Sequence, residues 1–253
     1  MIKVCIIGSG NVAQHLIKAF AKSDQIAITQ VFSRHKDTVA SLIESDKITD
    51  DLTTLAKADL YMIAISDDVI GNISSKFSFT NQLVVHTSGS VSMNDLNTKN
   101  RKGVFYPLQT FSKNKEVDFK IIPICLEAEN DNDFKLLEKV ARSISDSVYS
   151  IDSEQRKALH IAAVFVNNFV NHLYQIGDTI CKENKIPFEI LKPLIQETAQ
   201  KIISLSPENA QTGPAKRNDT NTIAAHSSFL TDENQKNLYT ILTQSIQNNG
   251  QKL

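Results

Sequence analysis

Six residues near the start of the chain, Gly8-Ser9-Gly10-Asn11-Val12-Ala13, constrain its fold more than any other segment. They form a G-x-G-x-x-A loop directly after the apolar run 3–7 and directly before the amphipathic run 13–21, the strand–turn–helix setting of a dinucleotide-binding crossover. Gly8 permits the tight turn, Gly10 lets a pyrophosphate approach the backbone, and Ala13 is small enough for the helix to pack on the strand. A helix starting here offers unpaired N–H groups and a partial positive charge, so Gly8, Ser9, Gly10, Asn11 and Val12 are expected to cradle phosphate. An ordinary strand-to-helix turn is the alternative that a lone G-x-G would leave open.

The end of the second apolar run, about 20 residues further on, is where NAD enzymes place a carboxylate on the ribose 2′-hydroxyl. Here the run ends in Ser33-Arg34-His35, with no carboxylate. Arg34 can pair with a 2′-phosphate through two charge-assisted hydrogen bonds while Ser33 donates a third, so NADP is the expected cofactor and NAD is disfavoured. The missing carboxylate also weighs against S-adenosylmethionine. A solvated surface cation is the plain alternative for Arg34.

Apolar runs recur at 3–7, 26–32, 60–65, 83–86, 104–106, 121–126 and 148–151, with helical patterns between them. That alternation predicts an α/β chain with a Rossmann-type doubly wound sheet, in which the runs near 106 and 121 add antiparallel or edge strands. After residue 151 strand-like runs stop, and helices are expected over 153–185, 187–205, 219–230 and 232–248. The chain is therefore divided into a Rossmann-like NAD(P)-binding domain, 1–151, and an all-α C-terminal domain, 152–253. Open parallel sheets bind ligands beyond the carboxyl ends of their strands, which assigns Ile65, Ser66, Asp67, Thr87 and Ser88 to the cofactor crevice. Helix capping is an equal reading for Asp67 and Asp68, and His86 at a strand end reads as structural before catalytic.

Composition narrows the partners. The formal net charge is -1, which supplies no basic footprint for nucleic acid or an anionic membrane. No apolar stretch approaches the roughly 20 residues of a membrane span. Cys5, Cys125 and Cys181 lie far apart, without disulfide or zinc spacing. The apolar run starts too near Met1 for a signal peptide's h-region and cleavage site, so no secretory leader is expected. A cytoplasmic protein without a metal site, acting on a small molecule, is expected.

The second half carries two constellations. In the run 160–171, His160, Asn167 and Asn171 fall on one stripe at about 100° per residue, with Asn168 at its edge and apolar residues elsewhere. A helix apolar on its remaining faces is expected to be buried, and its polar groups need partners: a ligand, or other helices. Further on, Thr212-Gly213-Pro214 forces a turn, Asp219 is placed to cap the helix behind it, and Arg217 is presented from the loop as a residue binding a substrate carboxylate would be. A loop with an exposed arginine is the alternative.

Together with Phe105-Tyr106-Pro107-Leu108-Gln109-Thr110-Phe111 and His86-Thr87-Ser88-Gly89, these segments resemble a family of predicted oxidoreductases of unknown substrate. Its members join a Rossmann-like N-terminal domain to a helical C-terminal domain of unknown function. The family is related to pyrroline-carboxylate reductases, ketopantoate reductases and beta-hydroxyacid dehydrogenases, a kinship that implies NADP use and a homodimer formed through the helical domain. Beta-hydroxyacid dehydrogenases carry K-x-x-N-N on the first long helix after the Rossmann unit. Matched here, the asparagines are Asn167 and Asn168, and the lysine position is Val164. His160, one turn earlier, is then the candidate acid, since imidazole titrates nearer neutrality than an amine. The expected activity is hydride transfer between NADP and a small carbonyl, imine or alcohol, with His160, Asn167 and Asn168 catalytic and Arg217 holding the substrate. A non-catalytic NADP-binding sensor is the alternative.

Overall fold

The computed structural model describes residues 1–113 and 115–249. Contacts divide the chain into two compact units, Met1–Asn167 and Asn168–Leu253.

The first unit is built on eight strands: β1 (Ile2–Ile7), β2 (Ile26–Phe32), β3 (Ile48–Thr49), β4 (Leu60–Ile63), β5 (Leu83–His86), β6 (Arg101–Pro107), β7 (Ile124–Ala128) and β8 (Val148–Ser150). They form one sheet in the order β3-β2-β1-β4-β5-β6-β7-β8. All neighbours pair in parallel except β6 and β7, which are antiparallel. Connections reverse direction between β1 and β4, and a doubly wound sheet opens its ligand crevice at that switch point.

Successive side chains of a strand point to opposite faces, and β1 supplies both cores. Val4 and Ile6 pack into one cluster with Leu16, Phe20 and Met62, while Cys5 and Ile7 pack into the other with Tyr61, Ile63 and Phe77. Helix α1 (Asn11–Ala21) buries Ala13, Leu16, Ile17 and Phe20 on the first face. Helix α2 (Ile70–Ser75) buries Ile70 on the second. Helix α3 (Asp131–Arg142) starts at Asn130, whose side chain accepts from the Asp133 N–H at 3.0 Å, and buries Leu137, Val140 and Ala141.

The sheet was expected, with differences in detail. Two-residue β3 is too short to show a period. The run 121–126 begins as a turn of 3₁₀ helix, Phe119–Ile121, and becomes strand only beyond Pro123, which has no N–H to give a ladder.

Helix α4 (Ser153–Ala163) follows β8, then a π-helical turn, Val164–Phe169, then α5 (Val170–Glu183). Strand structure therefore ends next to the expected boundary at 151, but the compact units divide later. α4 is held to the sheet by Arg156, which is 1% exposed and pairs through Nη1 with Glu127 of β7 at 2.5 Å. Arg156 Nη2 also donates to the Val91 carbonyl at 2.5 Å.

The second unit contains α5, α6 (Lys192–Ser204), α7 (Pro207–Ala210), α8 (Thr220–Phe229) and α9 (Glu233–Asn249). Asp219 caps α8 as expected, accepting from the Thr222 N–H at 3.2 Å. No helix among the described residues is long and apolar enough to cross a membrane.

Candidate cofactor cleft and the histidine beside it

The glycine loop stands at the switch point. Gly8 has φ +137°, and a Cβ there would lie 2.1 Å from the Ala64 carbonyl oxygen, so only glycine fits. Gly10 differs: nothing lies within 4 Å of a Cβ built there, which leaves the open space a pyrophosphate needs. Gly10 is also the N-cap of α1, with no side-chain cap and no acidic residue in the first turn. The helix N-terminus keeps its free N–H groups and its partial positive charge.

An open cleft of about 480 Å³ runs along these residues, lined by Gly8, Ser9, Gly10, Asn11, Val12, Ser33, Arg34, Ile65, Ser66 and Thr87 among others. Ten of the expected cofactor residues thus share one surface. Arg34 is exposed and makes no hydrogen bond or ion pair with the described residues, so its guanidinium is available to an anion. These features fit an NADP molecule: room at Gly10 for the pyrophosphate, a bare helix end, and a free arginine at the ribose end.

Three expected residues behave differently. Ser33 is buried, and its hydroxyl donates to the His35 carbonyl at 2.8 Å and accepts from the His35 N–H at 3.1 Å. It shapes the loop that presents Arg34, and its proton is already committed. The Ser88 N–H, expected to serve the cofactor, donates to His86 Nδ1 at 3.2 Å, while its hydroxyl accepts from the Ser90 and Val91 N–H groups at 3.0 Å each. Asp67 starts a 3₁₀ turn, Asp67–Val69, directly after Ser66 of the cleft lining.

Sequence reasoning did not assign His35, Gln109 and Phe111 to the cleft, all of which line it. The segment after β6 is strapped over the glycine loop: Asn11 Nδ2 donates to the Phe111 carbonyl at 2.9 Å, and His15 Nε2 bonds the Ser112 carbonyl at 3.0 Å. Polar residues at the first turn of α1 were the available signal.

His86 is fully buried. Burial and the nearby Arg156 cation push its ring down to about 4, which keeps it neutral, and its Nε2 has no partner among the described residues. It is structural.

His160 sits on α4 against the loop after β5. Its Nδ1 lies 3.0 Å from the Tyr106 hydroxyl of β6. Burial, then the nearby Cys125, pushes the Tyr106 phenol up to about 12. Gly89 packs on both rings: a Cβ there would lie 2.5 Å from His160 Nδ1 and 2.9 Å from Tyr106 Cζ. His160 is half-buried, and its Nε2 makes no hydrogen bond to the described residues.

The expected stripe is altered. Asn167 and Asn168 lie in the π turn, whose i→i+5 bonds widen the helix and rotate later positions away from the 100° step that aligned them with His160. Both are exposed, as are Ile161 at 53% and Val166 at 72%. The expected burial of this helix fails in the single chain, because apolar faces are buried only where something packs on them. Arg217 lies in the second unit, exposed on the turn before α8; its backbone N–H donates to the Gly213 carbonyl at 3.3 Å, and its side chain makes no hydrogen bond to the described residues. Among the described residues no group of three His, Cys, Asp or Glu side chains is placed to hold a metal.

Sheet order, glycine loop and cleft define a Rossmann-type dinucleotide-binding protein. Residues 3–89 match the family described as NADP oxidoreductase coenzyme F420-dependent, and residues 122–246 match a domain of unknown function, DUF2520. The solved structure of a putative NADP oxidoreductase from Bacteroides fragilis is 40% identical, with 98% of each chain covered and a TM-score of 0.87. A 1-pyrroline-5-carboxylate reductase from Streptococcus pyogenes shares the fold with a TM-score of 0.66 at 14% identity, over 100% of this chain and 99% of that one. A Plasmodium falciparum pyrroline carboxylate reductase with NADP bound does so with a TM-score of 0.61 at 13% identity, over 97% and 98%. No curated protein matches. The chain belongs to the family in which an NADP oxidoreductase domain of the coenzyme F420-dependent type is followed by DUF2520.

Proposed function

We propose that this protein is an NADP-dependent oxidoreductase acting on a small carbonyl, imine or alcohol. The observation that carries the reading is the unpaired Arg34 at the mouth of the cleft that begins at Gly8 and Gly10. The α1 N–H groups take the pyrophosphate, and Arg34 takes the 2′-phosphate in bidentate fashion. When bound, the nicotinamide supplies the hydride chemistry. His160 presents Nε2, the nitrogen left open by Tyr106, to the substrate heteroatom. Asn167 and Asn168 orient that atom through their amides, and π turns of this kind frequently mark functional segments. Arg217 holds an acidic group of the substrate.

We also propose a homodimer formed through the helical unit. Among the described residues, the only buried apolar ones beyond Asn167 are Cys181 and Ala215. An apolar cavity of about 310 Å³ opens among Leu173, Ile176, Ile180, Phe229, Leu238 and Leu242, large enough to take side chains of a second copy.

Val164 at the lysine position favours a second reading, an NADP-binding sensor without turnover. NADPH oxidation across a panel of keto acids and cyclic imines separates the two. On the oxidoreductase reading, His160→Ala lowers turnover about 100-fold and leaves NADPH affinity unchanged. Unchanged turnover removes His160 from the chemistry, and binding without any turnover across the panel supports the sensor.

A further inference from the structure

The 3.0 Å contact between the Tyr106 hydroxyl and His160 Nδ1 leaves open which atom carries the proton. Burial decides it. Tyr106 is 8% exposed, and Nδ1 is the hydroxyl's one hydrogen-bonding partner among the described residues. An O–H aimed elsewhere would be a buried donor without an acceptor, at a cost of about 1–3 kcal/mol. The phenol therefore donates, Nδ1 accepts, and the neutral ring carries its own proton on Nε2. An imidazolium would set an N–H against that O–H and strip the phenol of its acceptor. Gly89 fixes the ring from a third side, because a Cβ there would lie 2.5 Å from Nδ1 and 2.7 Å from Cγ.

We propose that Tyr106 is a positioning residue that holds His160 as the neutral Nε2–H tautomer, so that the site recognises a carbonyl oxygen in preference to a protonated imine. A carbonyl oxygen has lone pairs to accept from Nε2–H, and a protonated imine nitrogen has none. The substrate half rests on the oxidoreductase reading, whereas the tautomer is a property of the free protein.

The test uses ¹⁵N-labelled full-length protein without cofactor at pH 7.5, with ring nitrogens correlated to ring protons by NMR. The His160 signals are assigned by their loss in His160→Gln. The wild type should show the Nε2–H pattern, and Tyr106→Phe should convert it to a tautomer mixture while the circular dichroism is unchanged. Should Tyr106→Phe fail to fold, Gly89→Ala, which displaces the ring without removing either partner, should give the same loss. An Nδ1–H tautomer or an imidazolium in the wild type overturns the proposal, as does an Nε2–H pattern indifferent to these variants.

For the substrate half, kcat/KM for ketones should exceed that for cyclic imines by about tenfold, the worth of one neutral hydrogen bond, and the ratio should shrink in Tyr106→Phe. A preference for imines overturns that half. An Nε2–H pattern in a protein that turns over nothing supports the positioning role and counts against the oxidoreductase reading alone.

Discussion

The sheet unit and the helical unit treat their apolar residues in opposite ways. The sheet unit closes two cores, with Val4, Ile6, Leu16, Phe20 and Met62 on one face and Ile7, Tyr61, Ile63 and Phe77 on the other. The helical unit leaves Ile190, Leu194, Ile202, Ile203 and Phe229 exposed, Ile203 at 78%. A mixed sheet with helices on both faces buries what its pattern demands within one chain, whereas these helices display apolar faces that their own chain does not cover. On the proposed reading, the cleft takes its cofactor within a single chain, while the helical unit closes its apolar faces against a second copy.

The largest effect should come from the sheet unit's least tolerant position. Gly8→Ala places a Cβ 2.1 Å from the Ala64 carbonyl oxygen at φ +137°, and should cost about 3–5 kcal/mol in urea unfolding. A loss below about 1 kcal/mol would show that the loop yields, contrary to a rigid cradle.

The helical unit should respond through association. The wild type should sediment at twice the mass of the 28.1 kDa chain. Ile203→Asp should weaken the dimer about 100-fold or more, near 3 kcal/mol, with NADPH binding unchanged. A wild type that stays monomeric at every concentration would break the comparison.

A smaller effect concerns His86, which the sheet unit holds neutral with its ring near 4 against an ordinary 6.5. Above pH 6.5 the ring is neutral in both states and its contribution to stability is fully present. As pH falls toward 4 the unfolded chain binds the proton and the folded one does not, so about 2 kcal/mol is lost by pH 5. His86→Gln should flatten this acid arm in urea unfolding at pH 7 and pH 5, and an unchanged slope would contradict the assignment.

Much of the sheet unit was legible because its signals are local. The glycine loop and the apolar runs of β2 and β5 each act within a few residues, as does the Asp219 cap in the helical unit. The cleft was legible in its backbone but not in its strap, since the Asn11–Phe111 bond joins residues far apart in sequence. Tyr106 is the sharpest case. It was visible only as part of a resemblance, and its role depends on β6 carrying it to His160 across 54 positions. The π turn was missed because no residue pattern in 164–169 marks a change of helical step, and with it went the stripe that joined His160 to Asn167. The donor groups expected of Ser33 and Ser88 are taken up within their own loops, the Ser33 hydroxyl by the His35 carbonyl and the Ser88 N–H by His86, bonds that residue type alone does not announce.

The central claim is that the sheet unit's cleft is built for NADP, with Arg34 reading the 2′-phosphate. Calorimetric titration of the wild type and Arg34→Ala with NADPH and NADH tests it most directly. NADPH should bind the wild type at least about tenfold more tightly than NADH, and Arg34→Ala should remove that preference, a loss of about 1.5–3 kcal/mol for NADPH with NADH little changed. Equal affinity for the two cofactors in the wild type, or a preference that survives Arg34→Ala, would contradict it.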